Sequence, residues 1–199
     1  MVKVNRKEAE PMKEGYVDNR FASLYYKEMG QGMPLIMLHG NGESHEIFAR
    51  LSELMSRYYR VILMDSRGHG SSLMKEEAAG GDLTIPDMAA DVVQVMEFLH
   101  VPRAVILGFS DGANVALETA SCYPGRVSAV VAVSGNALPR GMSAASLMEV
   151  KIKYALWRGL EKVPLPRGVR ERAVKSRQLL GLMARWPRLD KEKLSCIQA

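Results

Sequence analysis

The stretch Ala104–Leu117 constrains this chain most. A short apolar run, Ala104-Val105-Ile106-Leu107, meets Gly108-Phe109-Ser110-Asp111-Gly112 and passes straight into a helical pattern, Ala113 to Leu117. That order predicts a strand, a sharp turn and a helix, with Ser110 at the apex. Gly108 and Gly112 leave room where side chains would collide with the neighbouring strand and helix. The turn exposes the Ser110 hydroxyl. It also aims the first free N–H groups of the following helix at whatever that hydroxyl meets. Three fixed residues in five recur by chance, so the surroundings decide what the pattern means.

Other strand-length apolar runs flank it. Pro34-Leu35-Ile36-Met37-Leu38 and Tyr59 to Met64 precede it, and Val127 to Ser134 follows. Continuous apolar runs without alternation belong to strands buried on both faces of a parallel sheet. Helical spacings separate them. Ile47, Leu51, Leu54 and Met55 form one stripe, with Ser44 as its cap. Thr84-x-x-Asp87 is an acidic variant of the capping box, opening a helix with Met88, Val92, Val95, Met96 and Leu99 on its apolar side. Gly15 to Glu28 reads as a hairpin turning at Asn19-Arg20. The expected class is α/β: a mainly parallel sheet with helices on both faces. In such sheets, ligand sites form at the carboxyl ends of the strands. His39-Gly40-Asn41-Gly42, Asp65 to Gly70 and Ser110 all fall there.

The chain has 199 residues and is 47% hydrophobic, enough for one domain with a real core. Its net charge of +5 is uneven. Residues 1–137 carry 13 Lys+Arg against 17 Asp+Glu, and residues 138–199 carry 14 against 5. The break predicts two units, a core over 15–137 and a basic helical appendage over 138–199, and residues 1–14 read separately as an N-terminal arm. The appendage has a stripe of Leu147, Val150, Tyr154 and Trp157, then a weaker one of Val169, Ala173, Leu180 and Met183. Cys122 and Cys196 match no metal or redox spacing and read as reduced thiols, which suits a cytoplasmic protein. No apolar run approaches the ~20 residues of a membrane span. No metal, cofactor or nucleic-acid motif stands out. Gly68-x-Gly70 fails as a dinucleotide fingerprint, because position 73 is Leu and no helix pattern begins there.

Together, His39-Gly40-Asn41-Gly42, Asp65-x-Arg67-Gly68-x-Gly70-x-Ser72 and Gly108-Phe109-Ser110-Asp111-Gly112 resemble three successive motifs of the α/β-hydrolase fold family, in the right order and spacing. The likeness covers residues 15–137, and residues 138–199 resemble the helical lid that the family inserts after its sixth strand. The resemblance implies a nucleophile at Ser110 that forms an acyl-enzyme, and an oxyanion hole from the Asn41 and Asp111 amides. It implies structural support from His39, Gly40, Gly42, Asp65, Arg67, Gly68, Gly70, Gly108 and Gly112. Phe109, Leu147, Tyr154 and Trp157 are candidates for the substrate pocket, which would suit an apolar or aromatic acyl group. The Asp111 carboxylate is read as structural, favoured by the helix dipole. His69 and Asp65 are expected to organise their own turn, and His45 and His100 to lie on the surface.

One departure stands out. In the family, the acid follows a seventh strand and the histidine an eighth, both after the lid. Here all four histidines lie at or before position 100. The expectation is therefore a hydrolase fragment, with a serine hydrolase of the esterase, lactonase or amidase kind as the leading function. A carbon–carbon bond hydrolase or cofactor-free perhydrolase is a second. A non-catalytic ligand-binding or interaction protein is a third. The apolar run Val127–Val133, left at a sheet edge, would pair with a second copy.

Overall fold

A computed structural model describes residues 12–75, 83–135 and 144–160, together with the single positions 166, 168 and 174. Seven strands form one sheet: β1 (Lys13–Asp18), β2 (Ala22–Met29), β3 (Met33–Leu38), β4 (Tyr59–Met64), β5 (Leu73–Met74), β6 (Ala104–Phe109) and β7 (Val127–Val133). Four α-helices are described: α1 (Ala49–Met55), α2 (Ile85–Phe98), α3 (Asp111–Cys122) and α4 (Ala144–Leu160). The strand order is β1-β2-β4-β3-β6-β7, with β5 paired to β2. The hairpin β1–β2 is antiparallel and β2 joins β4 antiparallel, while β4, β3, β6 and β7 run parallel. The α/β class expected from the alternation is the one observed. The two-residue strand β5 has no counterpart in the sequence reading, because two residues carry no period.

Register brings the strand ends into line. Leu38 is level with Met64 on one side and Gly108 on the other, and Phe109 is level with Val133. The residues that follow, His39, Asp65 and Ser110, therefore emerge side by side along one edge.

Two cores cover the sheet. On one face, α2 and α3 bury Met88, Val92, Val95, Met96, Val115 and Ala116 against Leu24, Ile36, Leu38, Ile62 and Ile106. Full burial of each large aliphatic side chain contributes about 1.5–3 kcal/mol. The α2 start is as its sequence predicts: the Thr84 hydroxyl caps the Asp87 amide at 3.2 Å. Its end was not legible. His100 takes a left-handed φ of 54°, and the Val101 amide returns to the Met96 carbonyl at 2.7 Å, while His100 N bonds Glu97 O at 3.1 Å. These are the two bonds of a Schellman cap, here without glycine.

On the other face, α1 covers a smaller cluster of Leu35, Met37, Val61 and Leu63. Here the expected stripe is off by one residue at three of its four positions, while Met55 packs against the cluster as expected. Ile47, Leu51 and Leu54 are exposed, whereas Phe48 and Ser52 face inward. A 3-10 turn over His45–Phe48 precedes α1 and rotates its entry, so Phe48 meets the sheet. Helical spacing fixes which residues share a face, and the turn decides which face is inward.

A buried ion pair ties the Asp65–Gly70 loop to α2. Arg67 forks onto Asp91, with Nε to Oδ2 at 2.6 Å and Nη2 to Oδ1 at 2.7 Å. Arg67 also donates to the Asp87 carbonyl at 3.1 Å, and Asn19 Nδ2 donates to Asp91 Oδ1 at 2.8 Å. Burial pushes the Asp91 carboxyl up from its usual range, against the pull of Arg67. Removing one member of such a pair leaves the other charge buried and unpaired. Asp91→Ala is therefore expected to cost about 3–5 kcal/mol in urea unfolding. The double change Arg67→Met with Asp91→Leu should cost less than Asp91→Ala alone.

Candidate functional site

Ser110 stands at the junction of β6 and α3 with φ 53° and ψ −119°. A non-glycine residue held there is strained, and such strain persists only where the surroundings enforce it. The enforcement is visible. The Ser110 amide donates to the Val133 carbonyl at 2.8 Å, and the Ser110 carbonyl accepts from Ala113 N at 2.9 Å. A Cβ on Gly112 would stand 2.1 Å from the Leu38 carbonyl oxygen, and one on Gly108 would stand 2.2 Å from the Gly112 carbonyl oxygen. Only bare Cα atoms permit that approach. The Asp111 amide opens α3, where helical geometry provides no carbonyl partner.

The loop after β3 faces the serine. A Cβ on Gly40 would lie 3.1 Å from Ser110 Cβ. Its neighbour Asn41 lines a narrow cleft of about 10 Å³, together with His39, Gly40, Ser66, His69, Met88, Asp111, Gly112 and Val115. His39 sits beneath, 2% exposed. Its Nδ1–H donates to the Gly40 carbonyl at 2.7 Å, and its Nε2 accepts from Ser66 N at 3.1 Å. Those two partners require the neutral ring, and burial holds its pKa below the ordinary value of 6.5. Asp65 Oδ1, 3.8 Å from Nε2, is a neighbour rather than an ionic partner. His69 Nδ1 donates to the Arg67 carbonyl at 3.0 Å, and Nε2 lies 3.2 Å from Asn41 Oδ1.

The elbow between β6 and α3, with the β3 loop folded over it, matches a family described as alpha/beta hydrolase fold over residues 33–163, more than half of the chain. This chain belongs to that family. Its relatives include the AB hydrolase superfamily protein YisY of Bacillus subtilis, 34% identical over 104 residues, covering 52% of this chain and 37% of that protein. A proline iminopeptidase of Neisseria meningitidis is 30% identical over 128 residues, covering 61% of this chain and 40% of its own. The chain thus spans less than half the length of these curated relatives. Among solved structures, a mutant N-acyl homoserine lactonase AidH, complexed with N-hexanoyl homoserine, matches with TM-score 0.68 and 19% identity over 94% of this chain and 74% of that one. Identity that low shows the shared fold alone.

Within this α/β-hydrolase fold, the three sequence motifs converge as expected at the sheet edge. Gly42, Gly68 and Gly70 take positive φ of 76°, 73° and 49°, so each turns its loop. Asp65 is fully buried and does more than organise its own turn. It accepts from Ser71 N at 2.8 Å, His45 N at 2.6 Å and His45 Nδ1 at 3.0 Å. The expectation of a surface His45 is thereby corrected. Its ring is half-buried and lies 5.0 Å from the Tyr25 ring, because a fully buried carboxylate must collect donors. His100 is exposed, as expected. Asp111 turns its Oδ1 to Asn114 Nδ2 at 3.1 Å, and burial raises its pKa.

Phe109 packs half-buried against the smaller core cluster. Leu147, Tyr154 and Trp157 lie on α4, and their side chains fall outside the described residues. The helical stripe expected over 169–183 lies almost wholly outside them too. Sequence reasoning also passed over Glu43, whose Oε2 accepts from Gly40 N at 2.9 Å. Its signal was present: a glutamate three residues after Gly40, the spacing of a capping box.

Two outcomes test this geometry. Gly112→Ala should destabilise by about 1–3 kcal/mol or more, since the clash is with backbone. Gly125→Ala is the control, because a Cβ there meets nothing within 4 Å. The second concerns acid. An unfolded histidine takes up its proton near pH 6.5, whereas folded His39 resists it. The unfolded state then binds more protons, so stability should fall as pH drops below about 6.5. Urea midpoints at pH 7.5 and 5.5 should separate more for the wild type than for His39→Asn.

Proposed function

We propose that this chain carries the nucleophile and oxyanion hole of a serine hydrolase acting on an ester, lactone or amide. The observation that carries this reading is the strained Ser110 at the elbow, half-buried against the Gly40 loop. Its hydroxyl would attack the acyl carbon, lose its proton to a base and form an acyl-enzyme that water then hydrolyses. The amides of Asn41 and Asp111 would receive the negative charge developing on the carbonyl oxygen. Loss of one such donor typically costs about 2.7–4 kcal/mol of transition-state stabilisation. Relatives named as a proline iminopeptidase and a methyl ester esterase, each at least 30% identical over the matched stretch, favour acyl chemistry. The basic α4 segment is read as part of a lid over this cleft, with Leu147, Tyr154 and Trp157 bordering an apolar or aromatic acyl group. A small-molecule substrate in the cytoplasm suits this reading. Among the described residues, no helix is long and apolar enough to cross a membrane.

A second reading, a non-catalytic binding protein, has a specific observation in its favour. The buried and half-buried histidines are committed elsewhere: His39 to Gly40 and Ser66, His45 to Asp65, His69 to Arg67 and Asn41. A serine hydroxyl is a poor nucleophile until a base takes its proton.

Intact-mass labelling with a fluorophosphonate, beside Ser110→Ala, separates the two. The hydrolase reading expects one adduct per chain at Ser110 and none on the variant. A folded protein that stays unlabelled would favour the binding protein.

A further inference from the structure

The turn that carries Asn41 is held from beneath by His39 and from its own far end by Glu43. Asn41 sits between Gly40 and Gly42, and at Gly42 a Cβ would meet nothing within 4 Å. The Asn41 side chain lies beside His69, and the Gly40 carbonyl, whose peptide carries the Asn41 amide, accepts from His39 Nδ1 at 2.7 Å. Two bonds from one residue close the turn. Glu43 Oε2 accepts from the buried Gly40 amide at 2.9 Å, and Glu43 N donates to the Gly40 carbonyl at 3.3 Å. The peptide planes on either side of Asn41 lie inside that small ring.

The ring also lies against the serine. A Cβ on Gly40 would stand 2.6 Å from Glu43 Oε2 and 3.1 Å from Ser110 Cβ, and 2.6 and 3.1 cannot span more than 5.7 Å. The Glu43 carboxylate is thus close to the elbow, on the loop side. Beyond it, the Asp65 carboxylate pins the far end of the loop through His45 N and Nδ1. The loop is fixed at both ends by carboxylates, and Asn41 lies within the nearer one's grip.

We propose that Glu43 is a positioning residue: its carboxylate closes the Gly40–Glu43 turn and so holds the Asn41 amide opposite Ser110. This rests on the oxyanion reading above, yet it makes a claim about backbone geometry that needs no turnover. A buried amide that loses its acceptor opens more readily. Hydrogen bonds to charged groups are worth enough for a change of about tenfold or more in local opening. Glu43→Gln keeps an oxygen in place for the Gly40 amide. Glu43→Asp withdraws its carboxylate by one methylene.

The test is amide hydrogen exchange with ¹H–¹⁵N spectra of the whole chain. In Glu43→Ala the Gly40 amide should exchange about tenfold faster or more, and the Asn41 cross-peak should shift. The thermal midpoint should move by no more than a few degrees. Glu43→Gln should restore both signals. Should Glu43→Ala fail to fold, Glu43→Asp is expected to show the same loss at Gly40. A Gly40 amide as protected in Glu43→Ala (or Glu43→Asp) as in the wild type, or an unmoved Asn41 cross-peak, would overturn the proposal. If fluorophosphonate fails to label the wild type, the nucleophile reading falls, and the amide signals still decide the role of Glu43.

Discussion

The approach of Gly112 to the end of β3 is the contact on which the site depends. A helix start can come within bonding distance of the Leu38 and His39 carbonyls only if its first turn lacks a side chain there. That approach sets where α3 begins. It forces the chain from β6 to reverse direction within one residue, and Ser110 absorbs the strain. The bond from Ser110 N to Val133 O then fastens the elbow to β7 on the other side. Strain at one residue is sustained by three strands and a helix, all packed by ordinary aliphatic burial.

Around that elbow, buried polar groups tie the loops to one another and to α2. The Arg67–Asp91 fork joins the β4 loop to α2. Asp65, fully buried, links the β3 and β4 loops through His45. Neutral His39 props the underside of the Gly40 peptide. Each of these groups has its donors and acceptors matched, as buried polar groups must. The outcome is a rigid cradle under a loop, Gly40–Gly42, that has almost no side chains of its own. A glycine-rich loop can approach a ligand closely, but its shape must then be supplied by its neighbours.

Much of this was legible in the chain. The strands β3, β4, β6 and β7 are continuous apolar runs. Of these, β3 and β4 are buried toward their carboxyl ends as such runs predict. By contrast, β7 corrects the expectation of full burial, because it lies at the sheet edge with only Val127 buried. The elbow glycines announce a close approach. Less was legible where partners come from distant segments. Arg67 and Asp91 lie 24 positions apart, and His45 and Asp65 lie 20 apart. Nothing local distinguishes His45 from a surface histidine until Asp65 is known to be buried beside it.

The sequence by itself determined the element order, the parallel sheet and the placing of three loops on one edge. Those follow from periodicity and burial, which are local properties of the chain. Tertiary structure decided which face of α1 turns inward, because a 3-10 turn rotated the helix by about one residue. It decided that His100 would end α2 without a glycine. It also decided which carboxylates hold the loop over Ser110. Hydrogen-bond partners depend on the distance between segments, and only the packed sheet sets that distance.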